Sequence, residues 1–187
     1  MMRVESNKLG MAFFIASEAF FFSLLILAYL YFQAAPATAN TAARNLDPVK
    51  TGFFSLFLLA SSLSIWRAGR EASDGRSRQA AGYVILTILL GIVFLAGQGM
   101  EWRRLILSGN SVNQGLFGTT FFTLTGFHGL HVLIGLIALS IFSALTLVPW
   151  SRTPKASSLE TLSLYWHFVD AVWIVIFTVI YLRLLIA

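Results

Sequence analysis

Five long apolar runs, separated by short polar connections, dominate this 187-residue chain. A membrane-spanning helix needs about 20 predominantly apolar residues, and runs this continuous cross a membrane only as helices. The pattern therefore predicts an all-α integral membrane bundle of five transmembrane helices, forming a single transmembrane domain over residues 1–187. The predicted helices cover residues 9–32, 49–66, 80–102, 116–148 and 159–186.

The polar connections carry the residues that end helices. They contain Pro36 and Pro48, the charged segment 67–78, the segment 109–115 with its glycines and asparagines, and the segment 149–154 with its two prolines. The fourth apolar run would extend about 50 Å as a helix, against a hydrocarbon core of about 30 Å. This helix must therefore tilt or protrude from the membrane.

Basic residues are unevenly divided between the two sides of the predicted bundle. The side of the N-terminus holds eight, namely Arg3, Lys8, Arg67, Arg70, Arg76, Arg78, Arg152 and Lys155. The other side holds five, namely Arg44, Lys50, Arg103, Arg104 and Arg183. Because basic loops stay in the cytoplasm, the N-terminus is predicted inside and the C-terminus outside. Trp66, Trp102 and Trp150 lie at predicted helix ends, as in an aromatic belt.

Composition narrows the class of protein further. With 57% hydrophobic and 11% charged residues, the chain has too little polar surface for a water-soluble globule of this size. It has no cysteine, which excludes disulfides, a thiolate nucleophile and cysteine-bound metals. The net charge of +5 is spread over short connections, so we expect no nucleic-acid partner. Without a cleavage site or transit-peptide character near its start, the chain is predicted to reside in a bacterial cytoplasmic membrane as a multi-pass protein.

A few polar side chains fall inside the apolar runs, where a charged group costs about 2.5 to 3.5 kcal/mol. They are Glu18, Gln98, Glu101, His128, His131, His167 and Asp170. Counted along the helices, Gln98 and Glu101 lie towards the outer side, and the other five lie between the inner leaflet and the midplane. The pairs His128 with His131 and His167 with Asp170 are each three residues apart, so each pair shares one helix face.

Three interpretations of the five inner residues remain open. They can form a buried polar junction whose hydrogen bonds pin helices 1, 4 and 5 together. Glu18 or Asp170 can belong to a proton route, because such routes use carboxylates beside histidines. Three histidines and two acids could also hold one or two metal ions. Gln98 and Glu101 are predicted to be structural, with Arg103 and Arg104 offering ion pairs to Glu101.

Several of these positions lie in longer strings that resemble subunit III of the haem-copper oxidases, the cytochrome c oxidase and quinol oxidase subunit 3 family. Helix 1 carries Ala16-Ser17-Glu18, and Asn45-Leu46-Asp47-Pro48 precedes helix 2. Helix 4 contains GTTFF at 118–122 and TGFHGLHV at 125–132, and helix 5 contains YWHFVDAVW at 165–173. The resemblance covers nearly the whole chain. It corresponds to the shorter five-helix bacterial branch, because the first two helices of the seven-helix form are missing.

The resemblance implies a non-catalytic subunit of a proton-pumping terminal oxidase that reduces dioxygen to water. Such a subunit binds no haem or copper of its own, contacts oxidase subunit I and also subunit II, and holds structural phospholipid. It stabilises subunit I and supports proton uptake during aerobic respiration. The motifs leave the electron donor open between cytochrome c and quinol, and some relatives accompany nitric oxide reductases. An independent membrane metalloenzyme or transporter is the alternative from another class.

Overall fold

The computed structural model describes residues 2–33, 46–108, 116–147 and 156–182. In these ranges the secondary structure consists of helices and the short turns and ends beside them, without strands. The helices are α1 (Met2–Gln33), α2 (Pro48–Ser73), α3 (Ser77–Leu107), α4 (Leu116–Leu147) and α5 (Ala156–Phe177), which continues as a π-helical turn over Thr178–Leu182. All five helices are long and apolar enough to cross a membrane. The predicted all-α architecture of five transmembrane helices is thereby confirmed.

Some predicted boundaries cannot be compared with the fold. Pro36, the segments 109–115 and 149–154, and the predicted helix ends at 148 and 186 lie outside the described residues. The same holds for Trp150 and for the basic residues Arg44, Arg152, Lys155 and Arg183.

The connection between α2 and α3 is much tighter than the sequence pattern predicted. The charged segment 67–78 was expected to lie between the helices, but α2 continues to Ser73 and α3 already begins at Ser77. Arginine, glutamate and alanine are good helix formers, so the helices extend beyond their apolar parts. Gly75 makes the turn with a φ of 78°, a left-handed conformation that glycine adopts without strain. Arg76 closes it by pairing with Glu71 and, at 2.7 Å, with Asp74.

α5 occupies the centre of the bundle, packing against α1, α2 and α4. α2 and α3 form a helical hairpin, and α3 continues the packing onto α4. α1 packs against α4 and α5, and its opposite face is exposed, with Phe13 69%, Phe20 67% and Tyr31 75% accessible. The core of α5 consists of large side chains such as Trp166 and Trp173, which are at most 1% exposed.

Trp166 shows why glycines are needed at the centre of the bundle. A β-carbon placed on Gly91 of α3 would lie 3.0 Å from this indole, and one on Gly135 of α4 would lie 2.8 Å from it. The two glycines therefore open the space in which α5 presents its indole to both neighbouring helices. The indole Nε1 donates to Ser61 Oγ of α2 at 2.9 Å, so the buried N–H has a partner.

Candidate functional site: polar contacts buried between the helices

Glu18 of α1 reaches across the bundle to a single histidine of α4. Its Oε2 lies 3.1 Å from His131 Nε2, and the two side chains are 22% and 11% exposed. Phe22, one turn further along α1, packs edge-on against the His131 ring with centroids 5.0 Å apart. The polar contact is therefore covered by an aromatic side chain of the same helix.

The hydrogen bonds of His131 determine how many protons this contact holds. His131 Nδ1 lies 2.7 Å from the carbonyl oxygen of Phe127, and a carbonyl only accepts, so Nδ1 carries a proton. The 3.1 Å contact between Nε2 and Glu18 then needs one further proton, held either by the imidazole or by the carboxyl group. Glu18 and His131 thus share one proton, as a protonated imidazole with a carboxylate or as two neutral groups.

His167 and Asp170 of α5 meet a serine of α2 instead of Glu18. The Ser62 hydroxyl donates to Asp170 Oδ2 and accepts from His167 Nδ1 at 2.8 Å. One hydroxyl therefore bridges the two residues that lie three apart on α5 and ties α2 to α5. The second carboxyl oxygen of Asp170 is buried without a hydrogen-bond partner among the described residues.

His128 of α4 has a third and different environment. It is fully buried, stacked on Trp173 of α5 with ring centroids 4.8 Å apart, and it meets Phe94 of α3 edge-on at 6.0 Å. Neither ring nitrogen has a hydrogen-bond partner among the described residues. The side chain serves as an aromatic packing element at the point where α3, α4 and α5 meet.

The five inner residues are thus distributed over three places and do not surround one centre. Of the other four inner residues, only His131 is hydrogen-bonded to Glu18 in the described part of the chain. His167 and Asp170 share Ser62, and His128 lies among aromatic rings. Among the described residues no group of three or more metal-ligating side chains converges.

Glu101 forms a second polar cluster towards the other end of the bundle. It is 6% exposed, and its Oε2 accepts from the Thr51 hydroxyl at 2.9 Å and from the Tyr181 hydroxyl at 2.7 Å. Its Oε1 lies 3.4 Å from the backbone N–H of Asp47 and 3.6 Å from the guanidinium of Arg104. All these neighbours are donors, so the cluster is built around an accepting carboxylate that joins α2, α3 and the π-helical turn.

Asp47 extends this cluster to the start of α2. As the N-cap residue, its carboxylate accepts from the Lys50 backbone N–H at 3.1 Å. It also pairs with the Lys50 ammonium at 3.1 Å and with Arg104 at 3.2 Å. The Lys50 backbone hydrogen bond, assisted by the Lys50 and Arg104 side chains, lowers the pKa of Asp47 from 3.8 to about 2.

Gln98 differs from Glu101, although both lie on the same face of α3. It is only 5% exposed, and neither atom of its amide has a hydrogen-bond partner among the described residues. The neighbouring Tyr181 hydroxyl gives its proton to Glu101. Gln98 lies at the edge of a groove between α3 and α4.

Sequence reasoning missed the residues that complete these contacts. They are the hydroxyl groups of α2 and α5, namely Thr51, Ser55, Ser61, Ser62 and Tyr181. The sequence does contain a sign of these contacts, because serine and threonine recur along one face of the otherwise apolar helix α2. Hydroxyls in such helices bond either to their own backbone or across to another helix, so pattern alone does not identify their partners.

A cavity of about 670 Å³ opens at the end of the bundle where α2 and α3 are joined. It is lined by Lys8, Trp66, Arg70, Glu160 and His167, among others. Lys8 and Glu160 form an ion pair of 2.6 Å across it, and the Arg70 guanidinium lies 4.0 Å from the centre of the Trp66 ring. The cavity therefore connects a charged rim with the histidine that is bonded to Ser62.

Comparisons with known proteins match almost the whole sequence to one family. The family model described as cytochrome c oxidase subunit III matches residues 2–183. The probable cytochrome c oxidase subunit 3 of Mycobacterium leprae is 34% identical over 179 residues, which are 96% of this chain and 89% of that protein. Cytochrome c oxidase subunit 3 of Gallus gallus is 35% identical over 182 residues, 93% of this chain and 68% of that protein. The Danio rerio protein of the same name is 34% identical, with the same coverage.

Proposed function

Because this chain belongs to the cytochrome c oxidase subunit III family, we propose that it is a non-catalytic subunit that stabilises subunit I and supports proton uptake and lipid binding. Family membership makes it a multi-pass membrane subunit of a haem-copper oxidase, within the respiratory electron-transport chain. It therefore works in a complex with other oxidase subunits.

The exposed face of α1 is the observation that carries the stabilising role. α1 leaves large apolar side chains such as Phe13, Phe20, Leu27 and Tyr31 more than half accessible. A broad apolar face of this kind is characteristic of a surface covered by another membrane protein or by lipid. We assign subunit I as its main occupant, with subunit II and phospholipid covering the remaining surface.

The distribution of histidines supports placing the haem and copper groups in the partner subunits. His131 bonds Glu18, His167 bonds Ser62, and His128 stacks on Trp173. Each of the three rings contacts a different partner, so within the described residues the histidines do not converge on a common metal position. The proposal accordingly assigns structural and proton-related roles to these residues and no active site to this chain.

The proposed part in proton uptake rests on the charged cavity. Its lining includes His167, whose Nδ1 is bonded to Ser62, which in turn donates to Asp170. A histidine at the base of a charged, water-accessible opening is suited to collecting protons near the membrane surface. Glu18 and His131 are not hydrogen-bonded to this chain of groups, so we assign them the structural role of joining α1 to α4.

Orientation and location complete the proposal. We propose that the N-terminus and the turn at Gly75 lie in the cytoplasm and the C-terminus outside, which the uneven division of basic residues supports. The bacterial relative of nearly equal length supports a bacterial cytoplasmic membrane. We further propose that the five helices form a single transmembrane domain.

The proposed function is tested by removing the chain from its complex. We expect a purified oxidase without it to retain its haem and copper centres and its initial rate of dioxygen reduction, but to lose activity sooner during turnover. The measurement is the decay of oxygen consumption with time, with the complex reconstituted with this chain as the control. Equal durability with and without the chain, or a redox-active centre in the isolated chain, would contradict the proposal.

A further inference from the structure

A groove between α3 and α4 is a feature of the bundle that the proposed function leaves without a role. It has a volume of about 350 Å³. Leu95, Gln98, Gly99 and Trp102 line it from α3, and Thr125, Gly126, Gly129, Leu130 and Leu133 line it from α4. These positions follow one face of each helix, so the groove runs along the helix axes for about 10 Å.

Glycines keep the groove open on both sides. A β-carbon on Gly99 would meet no atom within 4 Å, and one on Gly129 would meet only Leu95, at an ordinary 3.7 Å. Packing inside the described chain thus does not require glycine at these two positions. Glycines facing each other across a groove allow the backbone of a further helix to approach closely.

Gln98 contributes a buried amide, which needs hydrogen-bond partners, to this largely apolar groove. Its side chain is 5% exposed and both atoms of the amide lack partners among the described residues. The protons of the nearby hydroxyls are already used, since Thr125 donates to the Phe121 carbonyl and Tyr181 donates to Glu101. The Tyr181 oxygen can still accept from the Gln98 amide N–H, but neither hydroxyl has a proton left for the Gln98 carbonyl oxygen. A buried primary amide offers donors and an acceptor together, and leaving its carbonyl oxygen without a donor in a membrane is costly.

The need of the Gln98 carbonyl oxygen for a hydrogen-bond donor distinguishes between possible occupants of the groove. A lipid acyl chain offers no hydrogen bond, and a lipid ester offers acceptors alone, so neither donates to the Gln98 carbonyl oxygen. A headgroup amine or hydroxyl does donate, but the described lining of the groove contains no charged side chain that would hold the accompanying phosphate. The side chains of serine, threonine, asparagine and glutamine both donate and accept. A helix that carries one of them opposite Gln98 satisfies the amide and also fits the glycine-lined walls.

We propose that this groove is the docking site for a transmembrane helix of another oxidase subunit, which places a hydroxyl or amide side chain against Gln98. The inference rests on the proposed membership of this chain in an assembled oxidase. It goes beyond that proposal by adding a second contact surface, distinct from the α1 face that is assigned to subunit I. The groove lies on the α3–α4 side, whereas α1 packs against α4 and α5.

Photocrosslinking in the intact complex tests the occupant. A benzophenone side chain is placed at Leu133, which lines the groove and is 43% exposed in the isolated chain. We expect the crosslink to map to a transmembrane segment of an oxidase subunit that contains serine, threonine, asparagine or glutamine near the crosslinked position. Crosslinks to lipid alone, to a second copy of this chain, or to a protein outside the oxidase would overturn the inference.

Filling the groove provides the matched comparison. Gly99→Leu should lower the crosslink yield by about tenfold or more, because the added side chain occupies the space of the incoming helix. Gly82→Leu is the control, since Gly82 lies on the same helix and also has no atom within 4 Å of a β-carbon. Its yield should stay at the level of the unmodified chain. An undiminished yield for Gly99→Leu contradicts the proposed site.

Gln98→Leu tests the hydrogen bond separately from the packing. If a partner side chain satisfies the amide, this substitution should reduce retention of the chain in detergent-treated oxidase by about threefold to thirtyfold. The control is Gln79→Leu at an exposed position of the same helix. Unchanged or improved retention of Gln98→Leu would show that no partner bonds the amide. Failure of the chain to co-purify with haem-containing subunits would instead refute the proposed function itself.

Discussion

Single hydrogen bonds between a side chain of one helix and a hydroxyl of another recur through the interior of this protein. Trp166 and Trp173 of α5 donate their indole N–H groups to Ser61 and Ser55 of α2, at 2.9 and 2.8 Å. Each such bond in a membrane contributes about 0.6 to 2 kcal/mol, and it also selects one rotation of α5 relative to α2. Polar contacts between side chains therefore help to select how the helices pack, in addition to the burial of apolar side chains.

Glu18 allows the structural and proton-carrying roles to be separated. Glu18→Gln can still donate to His131 Nε2 and should leave assembly and steady-state turnover nearly unchanged. Glu18→Ala removes the partner of His131 and should destabilise the attachment of α1 by about 1 to 3 kcal/mol. Assembly yield and oxygen consumption of both variants are the measurements. A Glu18→Gln complex that assembles normally but turns over slowly would indicate a proton role instead.

The glycines beside Trp166 should tolerate no side chain. A β-carbon on Gly135 would lie 2.8 Å from the indole and 3.2 Å from Tyr165, so Gly135→Ala forces a shift of two buried rings. We expect a loss of stability of about 1 to 3 kcal/mol, measured as a lower thermal unfolding temperature of the complex. Gly82→Ala, with no atom within 4 Å of the new β-carbon, is the control. Equal stability of the two variants would argue against the close packing at Trp166.

The ends of α2 and α5 depend on the polar cluster around Glu101. The π-helical turn Thr178–Leu182 brings the Tyr181 hydroxyl onto the Glu101 carboxylate, while Phe177 stacks on the Tyr181 ring at 5.2 Å. The altered helical pitch therefore serves to place one donor. On the other side, Asp47 connects the start of α2 to the same cluster through Arg104.

Tyr181→Phe should weaken the end of α5 while keeping the ring packing. It removes a hydrogen bond to a buried charged acceptor, which is expected to cost about 1.5 to 3 kcal/mol. Tyr31→Phe is the matched control, because Tyr31 is 75% exposed. Thermal unfolding of the two variant complexes provides the comparison. A Tyr181→Phe complex as stable as the Tyr31→Phe complex would show that Glu101 does not need this donor.

The cap of α2 should respond to acid in a defined direction. Because the folded protein lowers the pKa of Asp47 from 3.8 to about 2, the stabilisation is complete above pH 3.8 and is lost as pH falls towards 2. Asp47→Asn removes this titration. The difference in unfolding temperature between the native and variant complexes should therefore shrink between about pH 4 and pH 2. A difference that stays constant over this interval would contradict the role of the ionised carboxylate.

At the scale of the whole molecule, the proposed orientation assigns each end of the bundle to one side of the membrane. In the orientation that we propose, with the Gly75 turn in the cytoplasm, the charged cavity lined by Lys8, Arg70 and His167 opens towards the cytoplasmic side. The groove beside Gln98 then lies towards the outer leaflet. The two features are thereby assigned to opposite halves of the membrane.

Labelling of an introduced cysteine tests this orientation, and the absence of native cysteine makes the reading unambiguous for this chain. Asp74→Cys should react with a membrane-impermeant thiol reagent only after the cells are opened, because the turn is expected in the cytoplasm. Lys50→Cys, near the start of α2, should react in intact cells. Labelling of position 74 from outside intact cells would reverse the proposed topology.

The sequence by itself determined the number of helices and their membrane character, because a continuous apolar run has only one stable backbone form in lipid. It also pointed to costly polar residues inside the spans, of which Gln98, Glu101, His128, His131 and Asp170 are buried, but it did not single out the buried hydroxyl groups of α2. The helix ends at Ser73 and Ser77 were not anticipated, because charged helix formers continue a helix beyond its apolar part. Helix propensity therefore shortens the connection between α2 and α3, which the hydrophobic pattern alone had predicted to be longer.

Only the tertiary structure decided which polar groups meet. Periodicity placed His128 and His131 on one face of α4, but their side chains point about 60° apart around the helix axis. One histidine therefore meets Glu18 and the other meets Trp173. Likewise Ser62, rather than Glu18, lies opposite His167 and Asp170. The relative rotation and depth of packed helices follow from the fit of distant side chains such as Trp166 against Gly91 and Gly135. Such a fit is a property of the assembled bundle, and no segment of the sequence contains it.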